Sequence, residues 1–305
     1  MKKIAVIFFV LFSCCAFAQI SKPSAGKIKH FENFSSKFVD ARNVDVWLPQ
    51  HYDVHKKYAV LYMHDGQMLY DSTTTWNHQE WGIDETLSSL MASKKIRDCI
   101  VVGIWNNGKK RHVEYFPQKA YTALSKIEKE TVIKATRNNN QSVFDDSIQS
   151  DNYLKFIVKE LKPFIDTHFS TLKDQSNTFI AGSSMGGLIS MYAICEYPQV
   201  FGGAACLSTH WVGIFRTENN PIPNAFMIYL KKHLPSSMNH KIYFDYGDKT
   251  LDAMYKPYQE QVDAIMKAKG YSTKNWVTKF FPGDDHSEKS WRNRFYIPAT
   301  FLLKR

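Results

Sequence analysis

A serine hydroxyl is a poor nucleophile at neutral pH, and it needs a base within hydrogen-bond reach and a carboxylate to orient that base. Residues 178–187 read Thr-Phe-Ile-Ala-Gly-Ser-Ser-Met-Gly-Gly, a β-type run that meets a Gly-x-Ser-x-Gly turn and continues into helical sequence. In that context the pattern predicts a tight strand-to-helix turn with Ser184 at its apex, where Gly182 and Gly186 let strand and helix approach closely. Eleven histidines are present, and His286 alone follows the last predicted strand, on the loop Pro282-Gly283-Asp284-Asp285-His286; it is the expected general base. The acid should follow the preceding strand, where Gly247-Asp248-Lys249-Thr250-Leu251-Asp252 offers two carboxylates. Asp252 is preferred, since at the start of the next helix it can cap while reaching the base loop; Asp248, in a Tyr-Gly-Asp turn, is the alternative.

Acyl transfer through a tetrahedral intermediate also requires donors aimed at the oxyanion. The backbone N–H of Met185, next after the nucleophile, is one candidate. The loop Met63-His64-Asp65-Gly66-Gln67 supplies the other, the N–H of Gln67. His64 is a base by type but precedes the elbow, so it is read as structural or pocket-lining. Trp76, Trp81, Trp105 and Trp211 are either platforms for sugars and phenolic groups or core packing. No His-Glu-x-x-His or paired-cysteine spacing occurs, and Asp284-Asp285-His286 alone makes a poor metal site.

The elements that must hold these residues alternate in type. Strands are expected at 44–48, 58–63, 99–105, 178–181, 203–207, 241–246 and 276–281, with helices at 83–92, 153–168, 187–196 and 255–269. The runs at 58–63 and 99–105 are continuously apolar, as strands buried on both faces are. Such alternation predicts an α/β fold with a doubly wound, mostly parallel sheet and helices on both faces. The 305 residues, 44% hydrophobic and 14% aromatic, suffice for a large core, and no linker or repeat divides them, so one domain over 19–305 is expected. Residues 118–150 are polar and too long for a plain connection; they read either as a lid or as a surface excursion with one helix near 124–137.

Lys2 and Lys3, an apolar run from Ile4 to Phe17, and Ala16-Phe17-Ala18 compose a secretory signal over residues 1–18, cleaved after Ala18. As a helix it would reach only ~22 Å, short of a ~30 Å hydrocarbon core, so no stable membrane insertion is expected. A lipid-modified Cys14 or Cys15 is the alternative. Cleavage leaves Cys99, Cys195 and Cys206 in apolar surroundings, which excludes a disulfide framework. It also lowers the formal charge from +10 to +8 by removing two lysines. Clusters such as Lys109, Lys110 and Arg111 read as solvated loops, with steering of an anionic substrate or envelope surface as the alternative, and no nucleic-acid motif accompanies them.

Several of these segments together resemble one family. Gly182-Ser183-Ser184-Met185-Gly186-Gly187, Tyr62-Met63-His64-Asp65-Gly66-Gln67, Arg111 with Glu114-Tyr115 and Pro117, Glu160-Leu161-Lys162-Pro163-Phe164-Ile165-Asp166, and His286 followed by Trp291 are similar to the putative esterase family. That family includes enterochelin-type siderophore esterases, feruloyl and acetylxylan esterases and mycolyltransferases. The likeness spans residues 38 to 291. It implies the α/β-hydrolase fold and a Ser-His-acid triad that works without a cofactor. The expected activity is hydrolysis of carboxylic esters on carbohydrate or siderophore substrates outside the cytoplasm, secreted or periplasmic. Acyl transfer to a sugar hydroxyl and non-catalytic carbohydrate binding are the alternatives.

Overall fold

In the computed structural model the described residues are 21–137 and 140–304; the expected signal at 1–18 lies outside them. The strands are β1 (Lys27–Phe34), β2 (Arg42–Leu48), β3 (Ala59–His64), β4 (Cys99–Ile104), β5 (Thr178–Ser183), β6 (Gly203–Leu207), β7 (Lys241–Tyr246) and β8 (Trp276–Phe280). They form one sheet in the order β1-β2-β4-β3-β5-β6-β7-β8. The pairs β1/β2 and β2/β4 are antiparallel, and every other neighbour is parallel.

The apolar runs are continuous because each face of the sheet is covered. Successive side chains point to opposite faces, and Val60, Tyr62, Ile100, Val102 and Ile180 join one hydrophobic cluster while Ala59, Leu61, Met63, Val101 and Phe179 join another. The first is closed by helices Met185–Glu196, Ile222–His233 and Lys256–Ala268, through Leu188, Phe226 and Val262. The second is closed by Ile83–Ala92 and Tyr296–Leu303, through Leu87 and Leu302. This is the doubly wound α/β arrangement expected from the alternation of strand and helix. Cys99, Cys195 and Cys206 are buried free thiols.

Two departures have physical causes. β1 pairs along β2 from Lys27↔Leu48 onward, and its residues KIKHFENF are only partly covered, so an edge strand carries little hydrophobic signal. The helix expected at 153–168 is interrupted by a π-turn at Ile157–Leu161 between Ser150–Phe156 and Lys162–His168. Pro163 accounts for this, since it lacks an N–H and its ring crowds the preceding turn. Within 118–150, helix Lys126–Ile133 starts at a Ser125/Glu128 capping box, and Val132, Ala135, Val143 and Phe144 pack into the first cluster.

The β5-to-helix junction leaves no room for a side chain at Gly182. A Cβ on Gly182 would stand 2.7 Å from the carbonyl carbon of Gly186. Gly182→Ala is therefore expected to destabilise the fold by about 1–3 kcal/mol through overpacking, measured by urea unfolding; a variant as stable as wild type would refute that close approach.

Candidate active site

The junction holds Ser184 at φ 57°, ψ −121°, a conformation that side-chain-bearing residues rarely adopt and that is retained where surrounding structure enforces it. Its N–H donates to the Leu207 carbonyl at 2.9 Å, and its own carbonyl accepts from Leu188 at 3.0 Å and His210 at 3.2 Å. Helix and neighbouring strand thus grip the residue from both sides. Met185 opens the helix, so its N–H is among those a helix leaves without an internal acceptor.

His286 sits on the loop after β8. Its N–H donates to Thr250 Oγ1 at 2.9 Å, and its Nδ1 lies 2.6 Å from Asp252 Oδ1. The ring meets Trp291 and Tyr255 edge-on, with centroids 5.0 and 5.8 Å away. A carboxylate on Nδ1 keeps the proton there and turns the lone pair of Nε2 outward. Asp252 is fully buried within the 3₁₀ turn Thr250–Met254, ahead of helix Lys256–Ala268. It makes no cap to that helix, so the capping part of the sequence argument fails although the residue reaches His286. Its Oδ2 instead accepts from Ser208 Oγ and Gly247 N–H, both at 2.6 Å. Asp248 accepts from the Gly283 N–H at 2.9 Å, which ties down a turn.

Beneath Asp252 lies a buried network that sequence reading missed. Arg294 donates through Nη2 to Ser208 Oγ at 2.8 Å and to Asp245 Oδ1 at 3.0 Å, and through Nη1 to Asp284 Oδ2 at 2.8 Å. Trp291 Nε1 donates to Ser208 Oγ at 3.0 Å. Burial pushes the Asp245 carboxyl up to about 6 against the pull of Arg294. An arginine in a C-terminal helix gives no sign in sequence that it will run under the sheet edge; only the fold brings it to Ser208.

On the other side of Ser184, Gln67 lies in the short turn Gly66–Met68. Asp65, at φ 57°, fixes that turn. Its carboxylate takes two bonds from Arg111, Nε to Oδ1 at 2.7 Å and Nη2 to Oδ2 at 2.8 Å, and one from Asn106 Nδ2 at 2.8 Å. Burial alone would push the Asp65 carboxyl up, but Arg111 and Asn106 outweigh it and hold the carboxyl below its ordinary value. Arg111 therefore corrects the solvated-loop reading of its cluster: it is an anchor, and Lys110 pairs with Asp40 at 2.7 Å. His64 is buried, with Nδ1 2.8 Å from Tyr153 Oη, and burial drives it down to about 3; it is a structural residue.

Ser184, Met185, Gln67 and His286 border one cavity of about 710 Å³. Trp76 stands at it 83% exposed, and buried Trp81 also lines it, packed on Trp291 at 5.4 Å. Trp105 and Trp211 are packing residues: half-buried Trp105 donates to Asp45 at 2.6 Å, and Trp211 donates to Gln259 at 2.9 Å within the core. Arg137, from the 118–150 excursion, also lines the cavity. Among the described residues, no group of three or more His, Cys, Asp or Glu could hold a metal ion, and no helix is long and apolar enough to cross a membrane.

A family profile described as "Putative esterase" matches residues 35–301. The chain belongs to this esterase family. As a family member it is 24% identical over 285 residues to an endo-1,4-beta-xylanase/feruloyl esterase of Xylanibacter ruminicola, covering 92% of this chain and 32% of that protein. It is 24% identical over 172 residues to the uncharacterized protein YbbA of Bacillus subtilis, covering 56% of this chain and 58% of the relative. The chain thus spans under two thirds of the length of these curated relatives. Among solved structures, the esterase-family fold superposes on the feruloyl esterase module from Clostridium thermocellum complexed with sinapinate, with a TM-score of 0.62 at 17% identity, covering 93% and 90% of the two chains. It also superposes on the enterochelin esterase from Shigella flexneri, with a TM-score of 0.61 at 16% identity, covering 92% of this chain and 59% of that one. These likenesses place the fold among the α/β-hydrolases.

Proposed function

We propose that this chain is an exported serine esterase that cleaves carboxylic esters through an acyl-enzyme. The observation that supports it best is the 2.6 Å contact of His286 Nδ1 with buried Asp252, beside a strained Ser184 that shares a cavity with the imidazole. In this reading Ser184 Oγ attacks the ester carbonyl while His286 Nε2 takes its proton. Asp252 stabilises the resulting imidazolium without itself being protonated. The N–H groups of Met185 and Gln67 receive the oxyanion. His286 then returns the proton to the leaving alcohol, and water, activated by the same imidazole, releases the acid.

The substrate is an ester with a phenolic acyl group or a carbohydrate alcohol. Trp76, Trp81 and Phe215 offer the cavity aromatic surface, and Gln67, Asn77, Gln79 and Asn106 offer amides, the mixture that rings bearing oxygen functions require. Feruloyl and enterochelin esterases among the structural neighbours support the same class. Export follows from cleavage after Ala18, and residues 118–150 are part of the substrate side of a single domain. The test is turnover of para-nitrophenyl acetate, methyl ferulate and acetylated xylan by the protein from residue 19 onward, with fluorophosphonate labelling as control. A folded protein that is neither labelled nor active on any of them would overturn the proposal.

The Arg111–Asp65 pair carries its own prediction. If its two bonds hold the Gln67 N–H in line, Arg111→Met loosens one oxyanion donor and lowers kcat by on the order of 10²-fold with little change in KM. An equal fall in affinity with kcat intact would instead make Arg111 a substrate-binding group.

A further inference from the structure

His210 follows β6 and is 1% exposed, yet it plays no part in the mechanism above. It is fixed to the site at two points: its N–H donates to the Ser184 carbonyl at 3.2 Å, and its Nδ1 lies 2.7 Å from Tyr255 Oη. Tyr255 is fully buried. Its N–H donates to the Asp252 carbonyl at 3.0 Å, and its hydroxyl borders the Ser184 side chain. The other imidazole nitrogen, Nε2, is buried without a hydrogen-bond partner among the described residues, and His210 is one of the residues bordering the same cavity as Ser184. A buried polar atom left unpaired is costly, which favours a site where a ligand supplies the partner.

We infer that His210 Nε2 is a specificity determinant that pairs with a hydroxyl oxygen of the substrate. This rests on the esterase reading and names the chemistry of its ligand. Burial, together with His112, His286, Arg111 and Arg137, holds His210 well below its ordinary range, so the ring is neutral and Nε2 presents either a proton or a lone pair. A phenol is the better donor, so Tyr255 directs its proton to Nδ1 and leaves N–H on Nε2; a hydroxyl group, being donor and acceptor, pairs with Nε2 in either tautomer. A full anion is not called for, because Asp65 engages the charge of Arg111 and the Glu288 carboxylate offsets that of Arg137 on the cavity wall. Phe215 tilts against His210 at 5.4 Å, and the Arg137 guanidinium lies 4.8 Å from the centre of the same ring. These walls suit a hydroxyl carried on a ring.

Sites built to hydrogen-bond a substrate hydroxyl discriminate strongly against the analogue that lacks it. Two matched pairs distinguish the side of the ester on which the hydroxyl lies: methyl para-hydroxycinnamate against methyl cinnamate for the acyl side, and a sugar monoacetate against cyclohexyl acetate for the alcohol side. In wild type, kcat/KM is expected to favour the hydroxylated member of one pair by about tenfold or more. His210→Phe should bring that ratio to near unity, and His210→Gln, which restores a polar atom, should recover part of it. The ratio is taken within each variant, so a general loss of activity cancels. The same comparison, read as Kd with para-hydroxycinnamate against cinnamate and methyl glucoside against methoxycyclohexane on the Ser184→Ala protein, needs no turnover. Wild-type indifference to both pairs, or a preference untouched by His210→Phe, overturns the assignment even if fluorophosphonate labels Ser184. Absence of labelling and turnover overturns the esterase reading instead, and the Kd ratio then decides the role of His210 independently.

Discussion

Ser184→Ala is expected to lower kcat/KM on every cleaved ester by on the order of 10⁴-fold or more and to abolish fluorophosphonate labelling. Removing the proposed nucleophile leaves the proposed oxyanion donors and the cavity in place, so the small residual rate expected is that of water attacking a bound, polarised ester. Fold stability should change by no more than about 1 kcal/mol, because the substitution deletes one oxygen and keeps a Cβ at φ 57°. The backbone bonds to Leu207, Leu188 and His210 do not involve the side chain. Far-UV circular dichroism and a urea titration check the fold, and labelling with turnover checks the chemistry. A folded alanine variant that still hydrolyses esters near the wild-type rate would remove Ser184 from the reaction.

Legibility in the sequence followed a physical rule. Strands β3, β4 and β5 could be read because both their faces are buried, which makes them continuously apolar, and the elbow could be read because a tight strand-to-helix turn demands glycines at Gly182 and Gly186. β1 escaped because an edge strand with residues such as Lys27, Lys29 and Glu32 carries little periodicity. Ser208, Arg294 and Tyr255 escaped for another reason. They come from a strand end, a C-terminal helix and the start of Lys256–Ala268, and nothing local marks residues that become neighbours only when β6, β7 and the C-terminal helices are packed side by side. Asp65 and Arg111 were visible as pieces of a familiar pattern, while the bidentate bond between them required the loops after β3 and β4 to meet. The same limit applies to Asp252, whose position before a helix suggests a capping role that it does not play.

The choice between the two aspartates can be settled by a substitution whose sign follows from the hydrogen bonds. Asp252 Oδ2 accepts from the Gly247 N–H at 2.6 Å, a donor that cannot turn away, whereas the Ser208 hydroxyl on the same oxygen can rotate. In Asp252→Asn the amide oxygen must therefore remain at Gly247, which directs the NH₂ group at His286 Nδ1. That NH₂ can only donate, so Nδ1 gives up its proton and Nε2 takes it, leaving an imidazole that cannot accept a proton from Ser184. A fall in kcat of on the order of 10⁴-fold is expected, with substrate affinity nearly unchanged. Asp248→Asn preserves an acceptor for the Gly283 N–H and should leave kcat within about threefold, as surface substitutions away from such features usually do. Measuring kcat and KM for both variants on one ester suffices. The reverse pattern, a near-normal Asp252→Asn and a crippled Asp248→Asn, would mean that the loop carrying His286 shifts during turnover to take its carboxylate partner from the Gly247-Asp248 turn.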